Sequence, residues 1–108
     1  YDVYGSAATV TSYFANLLDR DPALPLVVGE FAEDHGASGN VDEDTIMPQA
    51  ELLGLGYLGW SWAGNSSDLS SLDITQNFDA NSLTSWGRRL IEGNDGIAST
   101  ATTCGSFD

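Results

Sequence analysis

Leu26-Val27-Val28-Gly29-Glu30-Phe31 is the stretch on which the reading of this chain turns. A short apolar run with polar sequence on both sides reads as a parallel strand buried on its two faces. Such a strand does not finish on an ionisable side chain unless that group is wanted at its open end, because burying a charge is costly. Glu30 is therefore the first candidate for chemistry. Further on, Tyr57-Leu58-Gly59-Trp60-Ser61-Trp62 is a second short strand-like run, and it delivers two indoles where the first delivered an acid.

Working outward, Val10, Tyr13, Phe14, Leu17 and Leu18 follow helical spacing between Ser6 and Arg20, with Ser6 as the cap and Pro22 and Pro25 closing the segment. After the first strand, Ala32 to Asp44 reads as a loop rich in Gly, Asp and Glu. A second helix is expected from near Thr45, since Pro48 belongs in a first turn, running through Ala50, Leu52 and Leu53 to a stop at Gly54. Ala63 to Asn81 reads as a long polar loop. Leu83, Trp86, Leu90 and Ile91 mark a third helix, with Arg88 and Arg89 near its end and Gly93 beyond it. Residues 94–108, rich in Ser, Thr, Gly and Ala, read as a tail or linker. The alternation of helices and short strands predicts an α/β fold with parallel strands and right-handed crossovers, either a (β/α) barrel or a doubly wound sheet. In both, functional loops lie beyond the carboxyl ends of the strands, where Glu30 and Trp60 fall.

Composition narrows the partners. The 108 residues are 42% hydrophobic, ordinary for a globular chain. Three Lys and Arg against sixteen Asp and Glu give a formal net charge of −13, so nucleic acid and anionic membrane surfaces are repelled and a neutral substrate fits better. No apolar stretch approaches the ~18 residues of a membrane helix. Cys104 is the lone cysteine, so no disulfide can form within the chain. The chain starts at Tyr1 in mid-pattern, and is expected to be a piece of a longer polypeptide.

A carboxylate and aromatics at the ends of neighbouring strands suggest sugar chemistry, since retaining glycosidases set two carboxyl groups ~5–5.5 Å apart around an oxocarbenium-like transition state. Glu30 suits the nucleophile; the bland alternative is a solvated strand-end Glu, or one paired with an arginine. If the second strand stays regular, Trp60 and Trp62 point to opposite faces and only one can face a cleft. The alternative places both in the core. His35 sits among Glu33, Asp34, Asp42, Glu43 and Asp44, yet the spacing matches no metal-binding pattern, so a solvated acidic loop is expected and no metal or cofactor. His35 itself can border a cleft. Asn65-Ser66-Ser67 fits the N-glycosylation acceptor triplet, which arises by chance in Ser-rich loops. Neither a Gly-x-Ser-x-Gly elbow nor a phosphate-cradling glycine loop is present.

Together with Val41-Asp42-Glu43-Asp44-Thr45-Ile46 and Ser82-Leu83-Thr84-Ser85-Trp86-Gly87, the two strand motifs, the second continuing through Ala63-Gly64-Asn65, resemble in order the carboxyl-terminal part of the bacterial endo-β-1,4-mannanases of glycoside hydrolase family 5. The resemblance implies that residues 1–93 form the end of a (β/α)8 TIM barrel, with strands like its seventh and eighth. It implies that Glu30 is the nucleophile of a retaining double displacement on β-1,4-mannosidic linkages. Trp60 matches a sugar platform, which makes Trp62 a core or neighbouring residue. Tyr1 falls on a tyrosine that orients the nucleophile, and His35 on a histidine that lines the cleft. The family's acid/base glutamate, on strand four, is not in this chain. The resemblance further implies secretion, no cofactor, and a monomeric complete enzyme acting on mannan. A barrel needs ~250 residues, so the isolated segment is expected to be inactive and poorly folded. Two alternatives stand beside this reading: an endo-β-1,4-glucanase of the same family, and a non-catalytic carbohydrate-binding module, against which the helical periodicity argues.

Overall fold

The computed structural model describes residues 6–35, 41–103 and 105, so the expectation placed on Tyr1 lies outside the described residues, as does Cys104. Elements run in the order α1 (Ala7–Arg20), β1 (Val27–Phe31), α2 (Glu43–Leu53), β2 (Gly56–Gly59), a 3-10 segment (Ser67–Leu72), β3 (Thr75–Gln76), β4 (Asp79–Leu83), α3 (Ser85–Glu92) and α4 (Ile97–Thr100). The β1 and β2 strands pair in parallel, as the alternation of helix and strand requires, with α2 as the crossover.

Each helix forms for reasons visible in its sequence. The apolar stripe of α1 buries Val10 and Phe14. Ser6 precedes it in extended backbone, but its hydroxyl makes no capping bond; the Ser6 carbonyl instead accepts from Thr9 N at 2.8 Å. In α2 the cap is Asp42, whose carboxylate accepts from Thr45 N at 3.0 Å, and the helix starts two residues before the expected position. Pro48 therefore falls in the second turn, where it removes the donor that the Asp44 carbonyl would have accepted. Gly54 ends the helix at φ +67°, in the left-handed region, and its N–H closes on the Ala50 and Glu51 carbonyls. Arg89, in the last turn of α3, reaches Asp44 at the start of α2 with Nη2 at 2.7 Å, locking the two helices' ends together.

The core lies between the sheet and the helices. Phe31 is buried edge-on against Tyr57 of β2 (centroids 5.8 Å apart) and Trp86 of α3 (5.5 Å), and Ile46, Met47 and Leu90 complete the cluster. Pairing in β1 is irregular: Val28 lies opposite Tyr57 and Phe31 opposite Gly59, with the register shifting in between. Regular alternation would send Val28 and Phe31 to opposite faces, yet both pack on this one cluster. The extra residue is absorbed as a bulge at Gly29-Glu30. The opposite face of the sheet presents Val27, 55% exposed, and Leu58, 60% exposed.

The segment from Ala63 to Asn81 departs from the expected polar loop. It holds the 3-10 segment and an antiparallel hairpin, β3 with β4, turned by Asn77 (φ +52°) and Phe78 (φ +62°). Past Gly93, α4 docks back on β2, where the Tyr57 hydroxyl donates to the Asp95 carbonyl at 2.9 Å.

Glu43, the first residue of α2, has its carboxyl pushed above the ordinary value of 4.5, mainly by burial and further by the negative charges of Asp44 and Glu33, with its backbone hydrogen bond and Arg89 opposing. A carboxyl with a raised folded pKa binds its proton more tightly folded than unfolded, so stability falls as pH rises through that window and stays lower above it. Glu43→Gln is expected to melt at a higher temperature than the parent at about pH 7, with the gap closing below about pH 4. A gap that is constant across pH would show the burial of this carboxyl to be of no consequence.

Candidate active site

Two parallel strand ends set the site. Glu30 is the penultimate residue of β1 and exposed, and its neighbour Phe31 accepts from Trp60 N at 2.7 Å, so the residue that follows Glu30 is bonded directly to Trp60. The bulge lets Phe31 anchor in the core while Glu30 stands at the open end. Arginine pairing is set aside by the geometry: Arg89 is taken by Asp44, Arg88 donates to the Leu83 carbonyl at 2.8 Å, and among the described residues no arginine meets Glu30.

Strand β2 stops at Gly59, and the peptide between Trp60 and Ser61 is cis. Strand alternation therefore does not govern the two indoles. Trp60 is 43% exposed and Trp62 46%, so among the described residues neither indole is buried in the core, which leaves Trp62 the neighbouring place of the two expected for it. The backbone here is tightly held: the Trp60 carbonyl accepts from Trp86 Nε1 at 2.8 Å, Ser61 N donates to the Leu72 carbonyl at 2.9 Å, and the Trp62 carbonyl accepts from both Thr75 N and Thr75 Oγ1. These partners were missed in the sequence, where Thr75 read as part of a featureless loop. Its complete burial beside two exposed tryptophans has no local sequence signal.

His35 lies in the loop after β1, half-buried, with its Nε2 enclosed. The adjacent Asp34 carbonyl accepts from Ser71 Oγ at 3.0 Å, which joins the loop beyond β1 to the segment beyond β2 on the same side of the sheet. Among the described residues no three of His, Cys, Asp and Glu gather as a metal-binding set. No described helix is long and apolar enough to cross a membrane. An exposed carboxylate and exposed indoles, arrayed at adjacent parallel strand ends, can meet a neutral polyol: the acid attacks or solvates, and the ring faces take C–H surfaces.

No family model matches the chain. It is 50% identical over 103 residues to a mannan endo-1,4-beta-mannosidase of Streptomyces lividans, an alignment that takes in 95% of this chain and 26% of that protein. The beta-mannanase from Thermomonospora fusca superposes with a TM-score of 0.84 at 51% identity, over 94% of this chain and 33% of that one. A mannohexaose complex of the same enzyme gives a TM-score of 0.78 at 48% identity, with 94% of this chain and 32% of that one covered. The chain thus spans about a quarter of the length of the first of these and about a third of the solved chains. The neighbours are TIM-barrel catalytic domains, and this chain matches about a third of them, in keeping with a partial barrel.

Proposed function

We propose that this chain supplies the nucleophile half of a retaining endo-β-1,4-mannanase of glycoside hydrolase family 5, secreted and acting on β-mannan, with residues 1–93 in the catalytic domain and 94–108 a terminal segment whose α4 packs back on it. The observation that carries the reading is Glu30, exposed at the end of a bulged parallel strand and one residue from the bond that ties β1 to Trp60. Support comes from a similarity of about half identity to mannan-cleaving enzymes along nearly the whole chain.

The chemistry follows from the residues. Glu30 attacks the anomeric carbon of a β-mannosyl unit as the aglycone oxygen takes a proton from an acid/base carboxyl outside this chain; the glycosyl ester so formed is then hydrolysed by water, which gives its proton to that same group. Two inversions give net retention. Trp60 offers its ring face to the C–H surface of the sugar, which holds the anomeric carbon over the carboxylate, and His35 borders the cleft from the loop after β1. Tyr1, in this reading, hydrogen-bonds and orients Glu30.

Reducing-sugar release by the complete protein from galactomannan and from carboxymethylcellulose, with the product anomer followed by NMR, tests the proposal. Rapid release from mannan with first-formed β-product is expected. Release from cellulose alone would reassign the substrate to β-glucan, and first-formed α-product would rule out Glu30 as a nucleophile.

A further inference from the structure

Trp86 is among the largest fully buried side chains, at 1% exposure, and its ring packs edge-on against Phe31. An indole in such a place needs an acceptor for its N–H, and the acceptor it has is the carbonyl of Trp60, at 2.8 Å. The buried residue thus touches the end of β1 through Phe31 and the end of β2 through Trp60.

A second set of bonds holds the residue that follows Trp60. Asn65 Nδ2 donates to Ser61 Oγ at 2.8 Å and to Asp73 Oδ1 at 2.6 Å, and Asn65 N donates to the same carboxylate oxygen at 3.1 Å. The Ser61 carbonyl accepts from Ile74 N at 2.8 Å. The turn after Trp60 is thereby tied to the segment that leads into β3. With its own N–H on Phe31 and its carbonyl on Trp86, Trp60 has both of its backbone polar groups held, while nearly half of the residue stays open. A rigid backbone under an exposed ring is what a stacking platform requires, since the ordering is done before the sugar arrives.

We infer that Trp86 and Asn65 are positioning residues for substrate: the Trp86 indole N–H and the Asn65 amide fix the pose of Trp60 and act on the sugar only through it. The inference rests on the mannanase reading above and deepens it. It is tested in the complete protein by kcat and KM on mannohexaose for the parent, Trp86→Phe, Trp60→Ala and the double variant. Trp86→Phe keeps the ring and removes the donor; it is expected to lower kcat/KM on the order of tenfold in the parent and to change it less than about twofold once Trp60 is Ala. Asn65→Ala carries the same expectation in the same two backgrounds, and decides the matter if Trp86→Phe does not fold. Equal losses with and without the Trp60 ring would show a general structural role and overturn the inference, as would no loss in either. A parent that leaves mannohexaose intact would remove the functional reading and this inference with it, whereas an active parent with additive losses sinks the inference alone.

Discussion

Glu30→Gln in the complete protein is expected to lower kcat on β-mannan by about 10⁴-fold or more, since the amide keeps the shape of the side chain and cannot form the glycosyl ester. KM should change far less, because the variant keeps Trp60 and the loops to which the proposed function assigns binding. A 2-deoxy-2-fluoromannosyl inhibitor with a good leaving group should label the parent at Glu30 and leave the variant unlabelled, as read by peptide mass spectrometry. Label found on another carboxylate would take the nucleophile's role from Glu30 whatever the variant's rate.

The second large effect lies in stability. Gly87 sits in the first turn of α3, its N–H capped by Thr84 Oγ1 at 3.0 Å, and a Cβ built there would lie 2.0 Å from the Ile74 carbonyl oxygen and 2.9 Å from its carbon. Both are backbone atoms, held in turn by Thr84 N at 3.0 Å, so they cannot swing aside as a side chain would. Gly87→Ala is expected to destabilise the complete protein by about 3 kcal/mol or more, an overpacking cost at the upper end of its usual range. At that size the melting temperature should drop on the order of 10 °C. A drop under about 2 °C would mean that α3 can shift away from the Ile74 backbone at little cost.

The sequence carried the frame of the fold because its signals there were local. The stripe in α1, the Gly54 stop, the Leu26–Phe31 run and the Arg-rich end of α3 each state themselves within a few residues, and the parallel pairing follows from their order. The hairpin was not legible for a physical reason. Hairpin turns with positive φ at both central residues favour Asn-Gly, whereas here the second position is Phe78, a bulky side chain that seldom adopts that conformation. The polar residues of β4, exposed from Asp79 to Asn81, hide its strand character further.

Within the site, Glu30 and Trp60 announced themselves by position, one as a charge at the end of an apolar run and one as an indole at the end of the next. Trp62 did not. Its placement was argued from strand alternation, and alternation had ended at Gly59. The bulge at Gly29-Glu30 is likewise silent in sequence, because it shows only when Val28 and Phe31 are seen to share one cluster. The partners that hold the backbone from Trp60 to Trp62 come from Trp86, Leu72 and Thr75, and pairings across such separations leave no periodicity to read.

Because β1 and β2 are joined through α2 and meet side by side, Glu30 and Trp60 are brought together only by a contact between residues far apart in the chain. The entropy of closing that span must be met before any bond between the strands rewards it. Pairing of the two strand ends therefore depends on the crossover helix α2. Weakening that helix, at the Asp42 cap or the Asp44–Arg89 clasp, should slow the appearance of activity during refolding more than it lowers the rate of the folded enzyme.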